Sequence, residues 1–365
     1  MSNDKLRAQL IAAATEIQKL AGQTTQRFVF AESCTSGLAA ASVGSQPGIS
    51  RFFCGSHVTY RDDSKFQWLD VKQHDLNTVG PVSSAVSKQM AEGALLRTPE
   101  AQLAVSITGH LGPDAPEGLD GVIFLGVAVR LADRTAVVSH RKVLPTASRG
   151  DRQQLATLEL LATLRRVLQL VRATEAVCLE SESYAVIGDA QIETLLSGSF
   201  NPVHIGHFQM AEYVRKVLSK KVHFEISVEN VDKSELDQAE CLERALAICL
   251  MYDIVLTRAK TFRQKARIFG KSCFVVGADT IGRIAESKYY LDSKDRDQAF
   301  RELLELEVCF LVFGRTMDDS FSTSSADQLH YTRLEDMDLP ESLLQLCTSV
   351  DEDLFRQDVS SRDLR

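Results

Sequence analysis

The sequence predicts an α/β protein made of two layered domains, on three observations. The chain has 365 residues, more than one core of ordinary size fills. Apolar runs of strand length alternate with amphipathic helical stretches, the mark of α/β layers. That rhythm breaks once, at RATEAVCLESESYAVIGDA over 172–190, a stretch that is acidic in its middle. The expected organisation is a first domain over 1–172, a linker over 173–189 and a second domain over 190–365.

The elements follow in order. Ser2 or Asn3 can cap a first helix, with Leu6, Leu10, Ile11, Ala14, Ile17 and Leu20 on one face and Gly22 at its end. RFVFAE reads as a strand, GLAAASVG as a helix and FFCGSHVTY as a strand. VSSAVSKQMAEGALLRT is helical. AQLAVSIT, GVIFLGVAVRL and RTAVVSHRKVL read as strands, the last pairing with the one before it. Residues 149–172 make a long helix with Leu155, Leu158, Leu161, Leu164, Val167 and Leu168 buried. After the break the pattern restarts as βαβ units. IETLLSG, KVHFEISV, KSCFVVGAD and VCFLVFGR are strands, and HIGHFQMAEYVRKVL, ECLERALAICLM and DRDQAFRELLEL are helices.

Composition narrows the function classes. A net charge of −8 argues against a broad nucleic-acid surface but leaves room for a local phosphate site. Eight scattered cysteines form no CxxC pair and no zinc spacing, so no metal site is expected and the thiols read as reduced, in a cytoplasmic protein. The N-terminal stretch is charged throughout, unlike a signal peptide, and no run of about 18 apolar residues suits a membrane span. Homo-oligomerisation is left open.

Two loops carry chemistry. In AESCTSGLAA, residues 31–40, Ser33, Cys34, Thr35 and Ser36 crowd a strand-to-helix turn, where unpaired amides and the helix dipole favour anions. In SGSFNPVHIGH, residues 197–207, a Gly/Pro turn follows a strand and brings His204 and His207 to one face of the next helix. Two imidazoles at a helix start can donate to phosphates. Neither GxGxxG nor GxxxxGK[ST] occurs, which removes dinucleotide-oxidoreductase and P-loop readings.

The first loop has company: FFCGSHVTYRDDSK, GPVS, SITGHLGPDAPEGLDG and RGDRQQLATLELL follow in that order. Together they resemble the C-terminal domain of the CinA (competence/damage-inducible) family, whose members include nicotinamide-nucleotide amidohydrolases. The resemblance covers roughly residues 5–170. It implies that Ser33 is the nucleophile, assisted by Tyr60 and Lys65. A buried lysine of depressed pKa can serve a serine as base. Thr35, Ser36 and Gly37 are expected to hold the substrate and its oxyanion. Thr108, Gly109, Gly112 and Pro113 are expected to hold ribose or phosphate, and Arg149 and Arg152 to clamp a 5′-phosphate. Cys34 is read as packing. Serine stands at 36 where the family usually has glycine, and His110-Leu111 precede Gly112-Pro113.

The second loop resembles the signature of HxGH nucleotidyltransferases, particularly the nicotinate/nicotinamide mononucleotide adenylyltransferases, over roughly 190–365. The resemblance implies a Rossmann-like fold. It assigns catalysis to His204 and His207, and nucleotide binding to Gly198, Ser199, Phe200, Gly277 and Asp279. VSSRDLR at 359–365 is similar to the family's ISSTxIR, placing Ser360 and Arg365 on the triphosphate, with arginine at 362 for the usual threonine. Lys233 and Arg244 are further candidate phosphate contacts. ATP with Mg2+ is the implied co-substrate, and no cofactor is tightly bound. The joint reading is deamidation of nicotinamide mononucleotide (NMN) to nicotinate mononucleotide, and adenylyl transfer to such a mononucleotide. Two alternatives stand beside it: a first domain that only senses nucleotides, and an acceptor such as phosphopantetheine or an alcohol phosphate.

Overall fold

A computed structural model describes residues 3–231, 234–317 and 330–356. The chain divides into two compact units, the first running to Arg172 within the helix Arg149–Cys178 and taking in Cys249–Met251, the second formed by the rest. Each is an α/β assembly with its own sheet.

The first unit opens with α1 (Asn3–Thr24), which runs two residues past Gly22 and buries Leu6, Leu10, Ala14, Ile17 and Leu20. Ile11, expected on that face, is exposed. There follow β1 (Phe28–Glu32), α2 (Leu38–Gly44), β2 (Phe53–Val58), α3 (Asp62–Leu69), α4 (Gln73–Thr78) and α5 (Ser84–Arg97). The unit closes with β3 (Leu103–Gly109), β4 (Val122–Arg130), β5 (Thr135–Val143) and α6 (Arg149–Cys178). The sheet order is β2-β1-β3-β4-β5. Its first three strands are parallel, and β3-β4 and β4-β5 are antiparallel, the latter as expected. One face packs on α5, around Val29, Ala31, Val86, Met90, Ala94, Ala104 and Ala128. Small residues let helix and sheet approach closely. A Cβ at Gly126 of β4 would lie 2.2 Å from the Ser87 carbonyl oxygen of α5.

The segment expected as a linker over 173–189 instead holds the end of one helix and a strand. Residues through Cys178 continue α6, and β6 (Tyr184–Ile187) joins the second sheet antiparallel to β9. The second unit continues with β7 (Thr194–Ser197), α7 (Ile205–Val217), β8 (His223–Ser227), α8 (Gln238–Cys249), β9 (Asp253–Thr257), α9 (Phe262–Phe269), β10 (Cys273–Gly277), α10 (Ala278–Ala285) and α11 (Ser293–Glu305). It ends with β11 (Cys309–Phe313), β12 (Arg315–Met317), β13 (His330–Thr332), α12 (Glu341–Leu344) and β14 (Cys347–Val350). The strand order β14-β11-β10-β7-β8-β9-β6 is parallel except at β6, and the fold is Rossmann-like. From β7 the chain proceeds to β8 on one side, while β10 flanks β7 on the other. Ligands of open α/β sheets sit at such a reversal, beyond the carboxyl ends of the strands. Phe274, Val276, Ile281, Phe300, Phe310, Val312 and Leu343 fill the core on one side. Among the described residues no helix is long and apolar enough to cross a membrane.

One interaction shapes the first unit's opening loop. Helix α2 starts at Gly37, which has φ 91° and no side chain to cap it. Glu32, fully buried at the end of β1, supplies the cap. Its Oε2 accepts from Thr35 Oγ1 (2.8 Å), Gly37 N (3.0 Å) and Ala39 N (3.1 Å). Its Oε1 accepts from Ala40 N (3.0 Å) and Ser56 Oγ (3.0 Å). An acceptor-only carboxylate matches five converging donors, and an amide of the same shape does not. Glu32→Gln is therefore expected to cost about 2 kcal/mol, read as a drop of roughly 4–8 °C in the first domain's melting temperature. An unchanged melt would contradict the capping role.

Candidate functional site

The turn 33–37 is the centre of the first site. Ser33 donates its amide to the Ile107 carbonyl of β3 at 3.0 Å, which fixes its backbone at the carboxyl end of β1. Ser33 is 7% exposed, Cys34 is buried, and Thr35 is fully buried. Burial pushes the Cys34 thiol up to about 12, aided by Glu32 and opposed by its own backbone hydrogen bond, Lys65 and Arg149. That thiol is protonated near neutrality and inert as a nucleophile. Lys65 and Arg149 lie within electrostatic reach of the turn.

Lys65 sits on α3, a helix not expected from the sequence, and is 2% exposed. Its Nζ donates to the Tyr60 carbonyl and to Asp62 Oδ1, both at 3.3 Å. Burial pulls its pKa below the ordinary lysine value, and the charge and hydrogen bond of Asp62 oppose that shift. Tyr60 is half exposed, and its hydroxyl accepts from Arg149 Nη2 at 2.9 Å. Arg149 Nη1 donates to the Gly112 carbonyl. One guanidinium thus ties the Tyr60 loop to the Gly112 loop beside the serine turn.

Several expected contacts are spent inside the protein. The Thr35 hydroxyl and the Gly37 amide serve Glu32, and the Ser36 amide donates to the Ser33 carbonyl at 3.1 Å. The turn therefore does not present these groups to a substrate. Ser36 has φ 55°, a left-handed conformation that explains why glycine suits this position. Arg152 is buried and forked onto Asp120 at 2.6 and 2.7 Å, with Nε on the Pro145 carbonyl, so it is no phosphate clamp. The Thr108 hydroxyl donates to the Pro81 carbonyl at 2.8 Å. Gly109 and Gly112 are there for space: a Cβ would meet the Ile123 side chain at 2.6 Å and Arg152 Nη1 at 2.9 Å, respectively. Sequence reasoning gave Glu32 no role. An acid directly after an apolar strand and before a small-residue helix start was the available signal.

In the second unit, His204 is the N-cap of α7 and His207 its third residue. His204 Nδ1 accepts from Gly206 N, and His207 Nδ1 accepts from His204 N, both at 3.2 Å. Both neutral rings then carry hydrogen on Nε2. The ring centroids are 3.8 Å apart. His207 is pushed down to about 3, by burial first and then by His204 and Arg315, so it stays neutral. Phe200, expected to bind nucleotide, is buried instead, with its ring edge-on to His207 at 4.9 Å. Gly198 makes room for it, since a Cβ there would lie 2.8 Å from that ring. The Ser199 carbonyl accepts from Arg244 Nη1 at 3.4 Å.

Gly277 precedes α10 at the end of β10, and Asp279 pairs with Arg315 Nη1 at 3.2 Å and Arg283 Nη2 at 3.7 Å. Arg315, which opens β12, links Asp279 electrostatically to His207 and went unread in the sequence. A cavity of about 400 Å³ opens beside the histidine loop, lined among others by Gly198, Ser199, Ser227, Lys265, Thr280 and Tyr290. Lys233, Ser360 and Arg365 lie outside the described residues. Among the described residues no cluster of three or more His, Cys, Asp or Glu side chains could hold a metal ion.

Comparison with known proteins agrees with both resemblances. The family model of the CinA C-terminal domain matches residues 11–169, and the cytidylyltransferase-like model matches residues 195–365. CinA-like proteins of Chlorobium phaeobacteroides and Geobacter metallireducens are 38% and 36% identical over 145 and 146 residues. These matches cover 39% and 40% of this chain, and 34% and 33% of those proteins. The chain thus spans about a third of the length of the curated relatives it matches. The solved structure of competence/damage inducible protein CihA from Agrobacterium tumefaciens is 29% identical, with a TM-score of 0.40, and is matched over 43% of this chain and 93% of its own. The chain joins a CinA C-terminal domain, at residues 11–169, to a cytidylyltransferase-like domain, at residues 195–365.

Proposed function

We propose that the chain is a bifunctional enzyme of nucleotide metabolism, a carboxamide hydrolase joined to an adenylyltransferase. The observation that carries the first half is the contrast between neighbours. Cys34 is held protonated by burial, while Lys65, whose charge acts on that thiol, is buried and has a depressed pKa. In this reading neutral Lys65 takes the Ser33 proton as Oγ attacks the carboxamide carbon of a mononucleotide such as NMN. The tetrahedral intermediate collapses, the C–N bond breaks, and the nitrogen leaves as ammonia with a returned proton. Water then hydrolyses the acyl-serine to the carboxylate. Tyr60, fixed by Arg149, orients this machinery.

The second half rests on the neutral histidine pair at the start of α7, at the reversal point of a parallel sheet. A 5′-phosphate oxygen of the acceptor attacks the α-phosphorus of ATP, and pyrophosphate leaves. ATP enters as its magnesium complex, whose ion offsets phosphate charge. The Nε2–H groups of His204 and His207 stabilise charge that develops on the triphosphate.

Ser33→Ala is expected to lower ammonia release from NMN at least about a thousandfold, whereas Cys34→Ala keeps most of it. A folded Cys34→Ala protein that is dead beside an active Ser33→Ala protein would reverse the assignment. His204→Ala and His207→Ala are each expected to lower pyrophosphate release by about 10²–10³ in kcat while leaving ammonia release intact. Equal loss of both activities would mean one shared site.

A further inference from the structure

Ser197 and Lys265 line the second domain's cavity, and with Glu225, buried behind Lys265, they make a polar set that the transfer chemistry does not use. Ser197 ends β7 and lies in register beside Glu225 of β8, so their side chains point to the same face. Glu225 is 1% exposed, and its Oε2 accepts from Lys265 Nζ at 2.7 Å. Lys265 projects from α9 into the cavity wall, where its Nζ also sits over the Phe262 ring at 4.8 Å. Two atoms of this set are buried without a hydrogen-bond partner: Glu225 Oε1 and Ser197 Oγ. A buried carboxylate oxygen left unmatched is costly, and such atoms are normally satisfied by a ligand or water.

The missing partner must bring hydrogen to Glu225 Oε1 and an acceptor to Lys265. A carboxylate or phosphate brings only acceptors, and adds a negative charge beside Glu225. A hydroxyl brings one hydrogen. A primary carboxamide brings an acceptor oxygen and two N–H hydrogens on one planar group. Neighbouring strands run about 4.8 Å apart, a span that an NH2 group bonded to one residue on each strand can bridge.

We propose that Ser197, Glu225 and Lys265 recognise a primary carboxamide, and that they make the second domain prefer a mononucleotide bearing a carboxamide over the same mononucleotide bearing a carboxylate. This rests on the proposed adenylyl transfer, and takes the cavity beside the Gly198–Ser199 turn as its acceptor site. It places the two domains in competition for one amide nucleotide, rather than in series.

The test uses the full chain carrying Ser33→Ala, so that the first site leaves the amide intact. Pyrophosphate release with ATP is measured for NMN and for nicotinate mononucleotide, and binding of each is measured by calorimetry without ATP. The amide is expected to win by at least about tenfold in kcat/KM and in affinity. Glu225→Gln puts an N–H donor where the protein offers an acceptor, and is expected to lower that ratio at least about tenfold with the KM for ATP unchanged. Equal use of both nucleotides, or a ratio unmoved by Glu225→Gln, would overturn the proposal. If neither nucleotide yields pyrophosphate, the transfer reading fails, and binding still decides the recognition. Should circular dichroism show Glu225→Gln unfolded, Ser197→Ala replaces it: weaker binding of the amide alone supports the proposal, and no change overturns it.

Discussion

The buried carboxylate of Glu32 is the constraint on which the first site depends. Five donors from a helix start, a turn and a neighbouring strand converge on one side chain. Without that anchor the turn would be a run of small polar residues with no preferred course. With it, the chain turns within a few residues, Ser36 accepts a left-handed conformation, and Ser33 is left at the carboxyl end of β1. The anchor also removes the helix-start amides from any role in anion binding. A strand-to-helix turn that looks ready-made for a phosphate has filled itself with its own carboxylate.

The second domain solves a related problem differently. Its helix start is capped by imidazoles, His204 and His207, which accept from backbone amides through Nδ1 and carry their hydrogens on Nε2. Burial and the Arg315 charge keep His207 neutral, so the pair can donate without a fixed charge. In both domains the chemistry gathers where parallel strands end, and residues far apart in sequence complete it. Arg149 reaches back to Tyr60, Arg315 to Asp279, and Lys265 to Glu225.

Much of the scaffold was legible because burial imposes periodicity. The apolar runs at 28–32, 103–109, 122–130, 273–277 and 309–313 are strands, and the long 149–172 pattern is helical and runs on to Cys178. What escaped was short or locally polar. Helix α3 begins with two aspartates, strands β6 and β9 are four and five residues long, and β14 reads as polar because it ends the order of the main sheet. The motifs pointed to the two loops, but not to how their atoms are used. The Arg152–Asp120 fork joins residues 32 apart, and nothing in the local sequence separates it from a phosphate clamp. Phe200 sits in a signature loop, yet its ring belongs to the core. The burial of Lys65 is likewise a tertiary fact, since the polar stretch DDSK reads as a solvated surface.

The central claim is that buried Lys65, in its neutral form, activates Ser33. The pH profile of kcat/KM for ammonia release from NMN, in the native protein and in Asp62→Asn, tests it most directly. Rate follows the neutral amine, so the profile rises with pH as Lys65 loses its proton. Burial lowers that pKa, and Asp62 raises it again. Removing the Asp62 charge should move the rising limb to lower pH with the plateau retained. A limb that stays in place, or moves to higher pH, would show that Lys65 is not the base.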